Sequence, residues 1–69
     1  MLNFIATIED GMDMQRLVEQ LQNDGFTITR IRPLIRSISG NSAKKTLDQL
    51  RAVKGIKSAE EPRKIFKAG

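Results

Sequence analysis

Two adjacent acid pairs, Glu9-Asp10 and Glu60-Glu61, and four serines hold most of the side chains that could do catalytic chemistry in this 69-residue chain. Paired carboxylates work as acid and base when both reach one bond or share one proton. Neighbours on an extended chain point to opposite faces, which separates each pair. Ser37, Ser39, Ser42 and Ser58 would need a base, but histidine is absent and spacing gives no argument for a Ser-Lys pairing. Gly40-Asn41-Ser42 would offer free N–H groups to an anion if it opened a helix. It lacks the Gly-Lys-Ser/Thr ending of a phosphate loop, so Ser42 reads as a helix cap. Cysteine is also absent, which excludes disulfides, thiolate metal sites and a thiol nucleophile. The expectation is a protein that is not an enzyme and uses no cofactor and no metal.

The elements that carry these residues are legible from periodicity. LNFIATIE alternates Phe4, Ala6 and Ile8 with Asn3, Ile5 and Thr7, a strand pattern. Asp13 is placed to cap a helix in which Met14, Leu17, Val18 and Leu21 form one stripe, with Gly25 just past its end. FTITRIR reads as a second strand that Pro33 breaks, and LIRSISG as a third. Ser42 then opens a second helix with Ala43, Leu47, Leu50 and Val53 as its buried stripe. Gly55 stops that helix, and Ile56 to Glu61 form a fourth strand.

The order β-α-β-β-α-β predicts an α+β, ferredoxin-like sandwich: a four-stranded antiparallel sheet with two helices on one face. Residues 1–69 make one domain, with 62–69 as a C-terminal tail. The uncovered sheet face is expected to carry Asn3, Ile5, Thr7, Thr27, Thr29 and Ile31, and to be available for docking. The second and fourth strands are expected at the edges, so the chain is a monomer or a weak homodimer.

A chain this short buries only about 60% of its unfolded surface, and nothing covalent reinforces its core. No segment approaches the roughly 18 apolar residues of a membrane span, so no membrane partner is expected. The start, MLNFIATIED, lacks the basic region and long apolar run of a signal peptide. The expected compartment is therefore the cytoplasm as written, or outside the cell if the chain is excised from a precursor.

The net charge of +4 is unevenly spread. Residues 1–29 hold five acids and one base, and residues 30–69 hold eleven bases and three acids. Such a split is compatible with nucleic-acid binding through Arg30, Arg32 and Arg36 and through Lys44, Lys45, Arg51 and Lys54 on the second helix. RNA-binding modules of this fold stack bases on sheet aromatics. This chain has three phenylalanines and no Tyr or Trp, and Phe4 and Phe26 fit the core. A nucleic-acid or general protein-interaction module is therefore the second reading.

Over nearly its full length the chain resembles the propeptides of subtilisin-like serine proteases and their small stand-alone inhibitor relatives. The likeness rests on Phe4-Ile5-Ala6-Thr7-Ile8 and on Asp24-Gly25-Phe26-Thr27-Ile28. It is most specific in Leu47-Asp48-Gln49-Leu50-Arg51 and in Val53-Lys54-Gly55-Ile56-Lys57-Ser58-Ala59-Glu60-Glu61. The resemblance implies a protease inhibitor, which can also assist folding of the protease, with its open sheet face docked on two protease helices. It makes Glu60 and Glu61 the acids that cap those helices, where free N–H groups and the dipole favour an anion. It sends Arg63 to Gly69 into the substrate cleft as an added strand. With Gly69 beside the catalytic serine, Phe66 takes the fourth subsite and Ala68 the second; with Ala68 there, Ile65 takes the fourth. The protease-binding residues implied are thus Glu60, Glu61, Ile65, Phe66, Lys67, Ala68 and Gly69. Pro62 departs from the polar residue usual after the acids, and Arg63, Lys64 and Lys67 make the tail more basic than is usual.

Overall fold

The computed structural model describes residues 1–62. In chain order the elements are β1 (Leu2–Ile8), α1 (Met14–Asn23), β2 (Thr27–Arg32), a 3-10 turn (Pro33–Ile35), β3 (Ser37–Ser42), α2 (Leu47–Arg51) and β4 (Ile56–Glu60). The strands form one antiparallel sheet in the order β2-β3-β1-β4, the ferredoxin-like arrangement. β2 and β4 are its edges.

The alternation in β1 sends Phe4, Ala6 and Ile8 into the core, each 1% exposed. They meet Leu17, Val18 and Leu21 from α1, Leu50 from α2, Ile38 from β3, and Ile56 and Ala59 from β4. Phe4 and Phe26 pack edge to face, with ring centroids 5.7 Å apart at 90°. That geometry is worth about 0.5–1.5 kcal/mol beyond the area it buries.

α1 begins and ends as its sequence dictates. The Asp13 carboxylate accepts from the N–H of Gln15 (3.0 Å) and of Arg16 (3.2 Å), two of the donors a helix start leaves unpaired. At the other end Phe26 N–H donates to the Leu21 carbonyl (2.9 Å) and Gly25 N–H to that of Gln22 (3.3 Å). This is a Schellman closure, and it needs the left-handed φ of +105° that Gly25 supplies. It also delivers Phe26 straight into the core.

The chain departs from the expected pattern most at β3, α2 and β2, and β4 ends at Glu60 rather than Glu61. β3 starts at Ser37 rather than Leu34, because Pro33 opens a 3-10 turn and Arg36 takes a left-handed φ of 51°. α2 starts at Leu47, not after Ser42. Thr46 is its cap, in a reciprocal box with Gln49: Gln49 N–H donates to Thr46 Oγ1 (3.2 Å) and Thr46 N–H to Gln49 Oε1 (2.8 Å). Ser42 stays in β3 and turns the chain. Its hydroxyl donates to the Gly25 carbonyl (2.9 Å) and accepts from the N–H of Lys44 (3.3 Å) and Lys45 (3.0 Å). Ala43 is accordingly exposed, Leu47 and Val53 are half-buried, and Leu50 alone among the four stripe residues is fully buried. Gly40 and Asn41 lie within β3 and do not open a helix.

The third departure is a bulge in β2. Ile28 pairs with Gly40 and Arg30 with Ser39, which leaves Thr29 without a partner. Past the bulge Ile31 lies opposite Ile38, itself opposite Ala6, and both of those are core residues. Ile31 therefore lies on the helix side of the sheet and not on the open face. Arg30 and Arg32 take the open side instead.

Candidate protein-docking face

The uncovered side of the sheet is built from residues that oppose one another across four strands. One row runs Arg30, Ser39, Ile5, Glu60 from β2 to β4. Beside it run Arg32, Ser37, Thr7, Ser58, and on the other side Thr27, Asn41, Asn3. The face thus has a basic edge on β2, an acidic end on β4, and small polar side chains between, with Ile5 as the apolar residue near its centre. Ile5 is 37% exposed, far more than the core residues on either side of it in β1. Asn3, Ile5, Thr29 and Ser39 line a shallow depression that Glu61 and Pro62 close at one end. Thr29 Oγ1 donates to the Ser39 carbonyl across it (3.3 Å).

Of the residues singled out in the sequence, Glu60 sits on this face and Glu61 at its margin. Ile65, Phe66, Lys67, Ala68 and Gly69 lie outside the described residues. Glu9 and Asp10 lie in the turn between β1 and α1. Ser37 is buried, Ser39 is half-buried, and Ser58 is exposed on β4. Among the described residues no cluster of three or more acids has metal-ligand proximity, and no helix is long and apolar enough to cross a membrane.

The basic residues do not gather into one surface. Arg36 is committed to the fold: its guanidinium donates to the carbonyl of Glu9 (2.8 Å) and to that of Met12, and its Nε lies 3.7 Å from Asp10 Oδ1. It is not a free phosphate contact, as the sequence had it. Arg51 donates from Nε to the Ala59 carbonyl (2.9 Å) and lies 3.6 Å from Asp48. Lys44 and Lys45 precede α2 rather than decorate it, and the stem of Lys45 lies over Gly25. Arg30 and Arg32 are exposed, side by side along the β2 edge of the open face, with no ion-pair partner among the described residues.

Sequence reasoning missed the arginine edge and the serines opposite it. Strand alternation counted from Phe26 gives the wrong parity beyond Thr29, and nothing in TITRIR marks an extra residue. Glu60 and Glu61 were named from the family resemblance, and of the two the strand pairing sets Glu60 on the open face. Against family models, curated proteins and solved structures, the chain finds no significant match.

Proposed function

We propose that this domain is an inhibitor of subtilisin-like serine proteases, docking by its open sheet face and threading its C-terminal segment into the substrate cleft. One observation carries the reading: Glu60 stands on the uncovered face at the end of the edge strand from which that segment departs. A partner's helix N-termini, with unpaired N–H groups, are what such an acid suits. The small side chains of Asn3, Thr7, Ser37, Ser39 and Asn41 allow a helix to approach the sheet closely. The segment beyond Pro62 then binds as an added strand, its main chain giving affinity and its side chains specificity. By binding only the folded protease, the same complex shifts that protease's folding equilibrium toward the native state.

The test is competitive inhibition of a subtilisin-class protease by the intact chain, lost on removal of Ile65 to Gly69. Absence of inhibition at micromolar excess would overturn the reading. The second reading, nucleic-acid binding through Arg30 and Arg32, requires retardation of RNA or DNA that weakens steeply with salt. The burial of Phe4 and Phe26 leaves the open face without an aromatic platform among the described residues, which favours the first reading.

A further inference from the structure

β4 is an outer strand of five residues, with β1 as its one ladder partner among the described residues. Its last pair is Glu60 with Ile5, and Pro62, two residues on, has no N–H with which to extend the ladder. From the β1 side alone, the strand end that carries Glu60 is weakly held. Arg51 holds it from the other side. Its Nε–H donates to the Ala59 carbonyl at 2.9 Å. That carbonyl belongs to the same planar, trans peptide unit as the Glu60 N–H, so the two point in opposite directions. One end of the unit is turned to Arg51, and the other toward Ile5 across the β1 ladder.

Arg51 is itself fixed. It is the last residue of α2, next to the fully buried Leu50, and its Nη1 lies 3.6 Å from Asp48 one turn back. A carbonyl on an outer edge can be served by water, so the fold does not need this bond to satisfy it. What the guanidinium adds is a set direction. The peptide unit it grips joins the core to the docking face: Ala59 is buried on the helix side, and Glu60 stands on the open side. An acid that is already aimed loses less freedom on binding than one on a frayed strand end.

We propose that Arg51 is a positioning residue for protease docking, which aims Glu60 by holding the Ala59 carbonyl. The proposal rests on the inhibitor reading and extends it to α2, a helix on the side of the sheet away from the docked partner. Arg51 acts through Glu60 and does not touch the protease.

The experiment measures inhibition constants of the full chain against a subtilisin-class protease, with the fold of each variant checked by circular dichroism. Arg51→Ala raises the constant about tenfold, the cost of an acid that must be ordered on binding. In a Glu60→Gln chain the same replacement raises it less than about threefold, because an acid already removed has no position to lose. Arg51→Gln, too short to reach the carbonyl, carries the same comparison if Arg51→Ala does not fold. In the free chain, Arg51→Ala quickens amide exchange at Glu60 while the β1 amides that face β3 keep theirs. A merely structural role weakens inhibition by the same factor with Glu60 or Gln at that position, and this result overturns the proposal. Undiminished inhibition by Arg51→Ala also overturns it and leaves the inhibitor reading standing. A wild-type chain that does not inhibit sinks the inhibitor reading, and the role of Arg51 with it.

Discussion

Glu60 lies directly opposite Ile5 across the β1–β4 ladder, so an acid at the sheet edge shares the open face with the apolar side chain at its centre. On the inhibitor reading these two contact the protease together. Glu60→Gln with Glu61→Gln should cost about 1–2 kcal/mol of binding, roughly five- to thirtyfold in inhibition constant. The urea midpoint should stay in place, because both acids are exposed. Unchanged inhibition would remove the acids from the interface.

Gly40 is fixed by its neighbour rather than by its own dihedral angles. A Cβ there would stand 1.8 Å from the Thr27 carbonyl oxygen and 2.9 Å from its carbon. Backbone cannot swing aside as the end of a side chain can, so Gly40→Ala should destabilise by about 3 kcal/mol. Urea denaturation measures this, and a change under about 0.5 kcal/mol would mean that β2 shifts freely at its bulge.

Arg36 combines a left-handed backbone with a guanidinium that satisfies two carbonyls. Arg36→Ala loses the hydrogen bonds and keeps the backbone cost, for a loss of about 2 kcal/mol. Arg36→Gly loses the same bonds but relaxes at φ 51°, so it should be the milder change by about 0.5–1 kcal/mol. The opposite ranking in paired melts would show that the αL conformation costs nothing here.

Thr46 and Ser42 exchange the roles that their positions imply. Thr46→Ala should cost about 1 kcal/mol through α2 alone. Ser42→Ala should cost more, about 2 kcal/mol, because it leaves the Gly25 carbonyl and two N–H groups without the buried hydroxyl that serves them. Hydrogen exchange separates the two: the first opens residues 47–51, and the second loosens the junction of β3 with the end of α1.

Much of the fold is readable because β1 and α1 carry full periodicity. Phe4, Ala6 and Ile8 alternate, Leu17, Val18 and Leu21 repeat helically, and Asp13 and Gly25 mark the ends. The second half resists for local reasons. A serine that accepts from two following N–H groups resembles a helix cap whether or not a helix follows. The decisive signal, Thr46-Leu47-Asp48-Gln49, is a capping box that begins four residues later. Arg36 shows no sign in sequence of its left-handed backbone, since the carbonyls that accept from its Nη2 lie 24 and 27 residues away. On the candidate face the acids came from the family resemblance rather than from any periodicity, whereas the arginines were hidden by a change of parity in β2.

Thr29, the unpaired residue of the bulge, can be removed on paper without turning any neighbour around. Ile28 would still face the core, followed by Arg30 outward, Ile31 inward and Arg32 outward. What such a deletion would create is a straight, unbroken outer strand, a template on which further chains can stack without limit. A bulged outer strand is a poorer template for a further chain than a straight one, and in this sheet a single threonine makes that difference at the β2 edge.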